Sequence, residues 1–202
     1  MTRRYEKKQR AEQEEATRAR IAAVTAALHE EIGPARTTIK AIAERAGVTR
    51  PTVYKHFPDE VSLFSACSAH FIRANPVPDI SAWAAVADPE ERFRRALADM
   101  YGRYARTEAM TGNVRRDAEL MPSLRQVLDQ GWQPFLESAL DILSAGWGAR
   151  GARARRLRAT IDLALDFGTW KRLVRVNGLK QDEAADLMVA LACAAAGRRG
   201  GS

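Results

Sequence analysis

The chain has 202 residues, 46% hydrophobic and 28% charged. These proportions suit a folded globular protein with a core of its own and exclude general disorder. The excess of 32 Lys and Arg over 25 Asp and Glu, +7 at pH 7, brings polyanions onto the list of partners. Cys67 and Cys193 have no CxxC or His companions. A structural zinc site, which needs about four ligands, is therefore excluded, and two unreactive thiols in a reducing cytoplasm are expected rather than one disulfide.

The pattern is helical nearly throughout. The opening MTRRYEKKQR is charged and lacks the apolar stretch of a secretory signal. No run approaches the roughly 18 apolar residues of a membrane span, so a cytoplasmic protein without a membrane partner is expected. Residues 1–11 read as a frayed, disordered lead-in. Ile21, Val24, Leu28 and Ile32 then recur at three- and four-residue steps, the stripe of an amphipathic helix over 12–32 that Gly33-Pro34 ends. Thr38 is a natural N-cap for a short helix with Ile39, Ile42, Ala43 and Ala46 on one face. Gly47-Val48-Thr49 is a turn, and residues 50–56 form a very short helix with Pro51 in its first turn. Pro58-Asp59 begins a further helix with Phe64, Cys67 and Phe71 buried. Pro76, Pro78 and Asp88-Pro89 mark a loop, and a domain boundary is placed near Asn75, dividing 1–75 from 76–202.

Beyond it Phe93, Leu97, Met100, Tyr101 and Tyr104 define a long helix. Gly112–Met121 is a short broken one, and Pro122 opens a helix to about Ala145 that Pro134 kinks or divides. The last two helices are expected at about Arg155–Asn177 and Gln181–Gly197, with Asn177-Gly178 as a C-cap and Arg-Arg-Gly-Gly-Ser as a disordered end. Gly146, Gly148 and Gly151 match GxGxxG literally. A dinucleotide fingerprint needs a preceding strand, so this is read as a loop. The cluster Arg150, Arg153, Arg155, Arg156 and Arg158 reads as a solvated face.

Residues 38–57, TIKAIAERAGVTRPTVYKHF, form a helix, a Gly-containing turn and a second short helix, the helix-turn-helix arrangement. Ala43 and Ala46 let the two helices approach. Gly47 permits positive φ, and Thr49 caps a second helix whose exposed side shows Arg50, Thr52, Lys55 and His56; with Thr38, Thr49, Pro51 and Tyr54 these are the candidate DNA-binding residues. Arg50 is suited to guanine and Thr52 to a base or thymine methyl. Thr38, Tyr54, Lys55 and His56 are suited to phosphates.

At IAERAGVTRPTVYKHF the chain resembles the N-terminal DNA-binding module of the TetR family of bacterial transcriptional regulators. The likeness runs over about residues 17–72 and continues more loosely in ALDFGTWKRLVRVNGLKQDEAADLMVALA. It implies an all-α fold: an N-terminal three-helix DNA-binding domain, then a helical ligand-binding and dimerisation domain. It also implies a repressor that leaves its operator when an effector binds. One departure is Glu60, where the family often carries a phosphate-binding Lys.

No HExxH, GxSxG or P-loop occurs, and His29, His56 and His70 are scattered, with His29 on a polar helix end. No catalytic residue, metal site or cofactor is expected, and the protein is not read as an enzyme. Tyr101, Tyr104, Trp132, Phe135, Phe167 and Trp170, with Arg116 and Asp166, are the candidate effector pocket, although aromatic stripes at helical spacing are more often core. Leu157, Ile161, Leu165, Gly168, Leu187, Met188, Leu191, Ala192 and Ala195 are the candidate homodimer face. They would pair into a four-helix bundle on a palindromic double-stranded operator with half-sites about 34–36 Å apart. The rival is a helical small-molecule carrier or enzyme with a degenerate DNA module, which Glu60 favours.

Overall fold

The computed structural model describes residues 2–198 and is helical, with no strand among the described residues. The segment Arg199–Ser202, most of the end expected to be disordered, lies outside them. The helices are α1 (Thr2–Ile32), α2 (Ile39–Ala46), α3 (Arg50–His56), α4 (Glu60–Ala74), α5 (Ile80–Ala84) and α6 (Pro89–Arg106). They continue with α7 (Glu108–Ala118), α8 (Pro122–Ser144), α9 (Ala152–Leu165), α10 (Phe167–Lys171) and α11 (Gln181–Ala196). Short 3-10 and π turns occupy Pro34–Arg36 and Arg172–Val176. The chain forms two compact units: residues up to Pro76 with Glu108–Gln130, and Val77–Thr107 with Gly131 onward. Where the sequence reading drew one boundary near Asn75, the chain passes between units three times, the last inside α8.

In the first unit Ile21, Ile42, Val53, Phe57 and Leu63 make the central core. The stretch 1–11, expected to fray, is helical from Thr2. Its Lys, Glu, Gln, Arg and Ala residues have high helix propensity, Lys8 pairs with Glu12 one turn on, and a helix nucleated at the buried stripe propagates cheaply. Phe64 and Cys67 are buried as expected, but Phe71 is only half-buried. Of the stretch read as broken over Gly112–Met121, residues up to Ala118 belong to the regular α7. Its Met110 packs with Ala26 and Cys67, and its Ala118 with Phe64 and Leu124. The side-chain amide of Asn113 donates to the carbonyls of His29 (3.1 Å) and Glu30 (2.9 Å), satisfying the end of α1 from far along the chain.

The second unit is built on one face of α6. Phe93, Leu97, Met100, Tyr101 and Tyr104 are buried against Leu140, Leu143, Leu157, Ile161, Trp170, Met188 and Ala192. The single helix expected over Arg155–Asn177 is broken at Asp166, whose backbone is extended (φ −74°, ψ 137°) and whose carboxylate caps α10 at the amides of Gly168 and Thr169. The break leaves carbonyls of α9 without helical partners, and two buried phenols take them: Tyr101 donates to Ala164 O (3.1 Å) and Tyr104 to Leu165 O (2.6 Å). The hydroxyls and the carbonyls thus satisfy one another in the apolar interior.

Candidate nucleic-acid interface

The helix-turn-helix forms as its local chemistry dictates. Thr38 Oγ1 accepts from the amide of Ala41 at 3.1 Å. Gly47 ends α2 in the left-handed region at φ 63°. The bonds Val48 N–H to Ala43 O and Gly47 N–H to Glu44 O complete a Schellman motif. Thr49 Oγ1 caps α3 at the amide of Thr52 (3.4 Å) and pairs with the Thr52 hydroxyl at 2.9 Å. Val53 and Phe57 are buried at 0% and 2% exposure and pin α3, so the opposite face must look outward. Arg50, Pro51, Lys55 and the 53%-exposed Tyr54 lie on that face, while Thr52 and His56 are half-buried.

Two residues of α1 shape this surface, and sequence reasoning missed both. Arg18 Nη1 donates to His56 O at 2.5 Å and its guanidinium lies 4.3 Å from the Phe57 ring centroid, so a cation closes the C-terminus of α3. Glu14 Oε1 accepts from Lys55 Nζ at 2.6 Å, and the hydrogen bond and charge of Lys55 hold the Glu14 carboxyl below its usual range. Lys55, read as a phosphate contact, is thus already paired. Among the described residues Arg50 makes no ion pair. Glu60 accepts from Ser123 Oγ at 2.9 Å, which gives the departure at that position a structural use.

His29, read as lying on a polar helix end, is buried at 3% exposure, with Cys67 Sγ 3.6 Å from its Nδ1. Burial lowers its pKa to about 4 against the opposing charge of Asp117. Burial likewise pushes the Cys67 thiol up to about 12, and Cys67 and Cys193 are both free.

The pocket candidates do not all come together. Tyr101, Tyr104, Phe167 and Trp170 are buried in the second unit, with Tyr104 at 5.4 Å and 5.8 Å from Phe167 and Trp170. Trp132 and Phe135, half-buried, stack at 4.9 Å in the same unit. Asp166 is the α10 cap. Arg116 stands apart in the first unit, where its Nε donates to Asp117 Oδ1 at 2.7 Å. Asp117 also accepts from the amide of Ala35 at 2.9 Å. Burial works to raise the Asp117 carboxyl, but these donors outweigh it and hold it low. A Cβ on Gly33 (φ +88°) would meet Arg116 and lie 2.6 Å from Asp117 Oδ2, so the turn requires glycine.

Of the dimer candidates, Leu157, Ile161, Leu165, Met188 and Ala192 are buried in one chain's own core. Gly168 is exposed and Ala195 half-buried. Leu187 (42%) and Leu191 (45%) are exposed together on α11, and Leu163 (57%) on α9. At the start of α9 an open concavity of about 500 Å³ is lined by Gly148, Arg150, Ala152, Arg153 and Arg156. Arg158 there pairs with Asp141 at 2.6 Å.

The fold and this surface define an all-α protein with an N-terminal helix-turn-helix head of the DNA-binding type. Residues 21–67 match the model of the bacterial regulatory proteins of the tetR family, a match that spans the helix-turn-helix domain. Over the whole chain the likeness to solved structures is one of fold. A TetR-family regulator from Mesorhizobium loti aligns with TM-score 0.63 and 19% identity over 90% of this chain and 96% of that one. NalD of Pseudomonas aeruginosa, described as the secondary repressor of the MexAB-OprM multidrug efflux pump, aligns at 0.59 and 19% over 90% and 96%. RolR in complex with resorcinol aligns at 0.56 and 19% over 94% and 91%. No curated protein matches in sequence.

Proposed function

We propose that this protein is a ligand-responsive transcriptional repressor, which grips a palindromic operator as a homodimer and leaves it when a small molecule binds the second unit. The observation that carries the reading is α3, where buried Val53 and Phe57 turn Arg50 and Tyr54 to solvent in a helix narrow enough for the major groove. Arg50 reads guanine through two hydrogen bonds. Tyr54 and Thr38 hold phosphate, and Lys55 exchanges Glu14 for phosphate. That NalD is a repressor and that RolR forms a complex with resorcinol support repression and ligand response for a chain of this fold.

Coupling between the two activities runs through α4 and α8. In α8, Leu124 packs in the Phe64 cluster of the first unit, and residues from Gly131 belong to the second. A coupling of about 1–3 kcal/mol weakens operator binding roughly 5- to 150-fold. The test is selection from random duplexes at moderate salt. One preferred palindrome is expected, with Arg50→Ala and Tyr54→Ala each abolishing its capture and leaving the melting temperature unchanged. A protein that selects no sequence is not a regulator of this kind, and the rival carrier reading then takes over.

A further inference from the structure

Arg103, in the last turn of α6, is only 7% exposed and lies wholly within the second unit. Its Nε has no hydrogen-bond partner, and among the described residues no carboxylate stands within ion-pair distance of its guanidinium. The nearest acid along its own helix, Asp99, is already used: it accepts from Trp83 Nε1 at 2.8 Å and lies 3.8 Å from Arg95 Nε. The charge is not neutralised by losing a proton, because a guanidinium stays protonated at any working pH. Burial lowers its pKa, a pull that the Tyr104 hydroxyl opposes and the like charge of Arg106 reinforces. What does face it is an aromatic ring: Trp132, 5.9 Å from the guanidinium carbon, which is itself stacked on Phe135. A ring face offsets only part of the cost of taking a cation out of water. Arg92 Nε, Ser144 Oγ and Trp170 Nε1 also lack partners in this unit, but Ser144 and Trp170 are neutral and the Arg92 guanidinium is held by the carbonyls of Val86 and Ala145. Among the described residues of the unit Arg103 is thus the buried charge left without a polar partner.

We infer that Arg103 is the anion-recognising residue of the effector site, and that the effector is a small planar carboxylate whose acid group pairs with Arg103 while its flat apolar part lies against Trp132 and Phe135. The inference rests on the ligand-responsive reading and names the ligand class. The guanidinium fork matches the two oxygens of a carboxylate. The half-buried state of Trp132 and Phe135 leaves a way in from solvent that the fully buried Tyr101, Tyr104 and Trp170 do not offer. Displacing the two rings opens the guanidinium, and the incoming acid replaces a ring face with a full counter-charge.

The experiment titrates the full-length protein with 1-naphthoate and with its neutral isostere 1-naphthamide, read by tryptophan fluorescence and thermal shift. The acid is expected to bind roughly 10- to 100-fold more tightly than the amide, the ratio that charged hydrogen bonds support. Arg103→Met is expected to bring the two to equal affinity, with a melting temperature in the absence of ligand that does not fall. Arg103→Lys keeps the charge and the fold but loses the fork, so it retains a reduced preference and serves if the Met variant fails to fold. Equal binding of acid and amide by the unaltered protein, or no binding of either at millimolar concentration, overturns the inference. So does a ratio unchanged in Arg103→Lys and Arg103→Met. Operator selection is scored separately. A protein that selects an operator but ignores the acid loses this inference alone, whereas one that binds the acid through Arg103 but selects no DNA loses the repressor reading and keeps the site.

Discussion

Single side chains decide more here by what they are paired with than by their type. Glu14 is the plainest case, because its ion pair with Lys55 stands where a phosphate would stand. An exposed pair of this kind adds little to stability, so its removal acts on binding. Glu14→Gln frees the ammonium, and operator affinity is expected to rise while the slope of log K against log salt steepens by up to about 1. Fluorescence anisotropy across a salt series measures both, and an unchanged slope means Lys55 never meets a phosphate. His29 acts on stability instead. Its folded pKa of about 4 lies below an unfolded value near 6.5, so between them the unfolded chain holds the extra proton and stability falls as pH drops through that window. The loss approaches roughly 3 kcal/mol by pH 4, from the 2.303RT-per-unit relation. Asp117, also held low, adds its own loss only in the more acid range below the ordinary carboxylate pKa. Urea melts at pH 7 and 4.5 show the His29 component, and in His29→Gln that difference shrinks. A pH profile identical in the variant removes the buried imidazole as its cause.

At the scale of elements the division between what the sequence showed and what it hid follows the range of the interactions. Thr38, Gly47, Thr49 and Pro51 act on backbone groups within a few residues, so the boundaries of α2 and α3 were readable. α7 was not, because Asn113 and Asp117 bond to the chain around 29–35, and no local pattern announces a partner some eighty residues away. α5 is too short to show a period. Arg103 reads as one more arginine in a charged helix, and only burial sets it apart. The break at Asp166 was hidden for another reason: Leu165 before it and Trp170 after it are both apolar and buried, so the stripe continues across a helix that does not. We propose on the strength of this cap that Asp166 serves architecture rather than ligand contact. Asp166→Ala releases the two amides it caps, at a cost of about 1 kcal/mol, or a fall of roughly 2–4 °C for a chain of this size. Below that transition, operator binding and its response to ligand are expected to survive. An unshifted melting temperature with the response lost makes Asp166 a ligand contact instead.

For the whole molecule, net charge is a poor guide to where recognition lies. Residues 1–60 hold 12 Lys and Arg against 9 Asp and Glu, so most of the +7 falls outside the helix-turn-helix, and its use is to speed encounter with a polyanion. The proposed recognition of a palindrome uses two heads at a fixed spacing, and hence a dimer. The apolar faces of α9 and α11 read as surplus in the sequence are largely consumed by one chain's own core, through Leu157, Ile161, Leu165, Met188 and Ala192. What remains is Leu187 and Leu191, one turn apart on α11, with Leu163 on α9, a narrower surface that two copies of the chain can cover by a two-fold pairing of helices. A charge placed there meets its own symmetry mate as well as the apolar partner. Leu187→Glu with Leu191→Glu is therefore expected to give a monomer in sedimentation, at a folding cost kept small because both side chains are already near half exposed in one chain. Its helical circular dichroism should match that of the unaltered protein, while binding to the full palindrome weakens to that of one half-site and becomes steeply dependent on concentration. If the double variant still sediments as a dimer and still holds the palindrome, the pairing surface lies elsewhere on the chain.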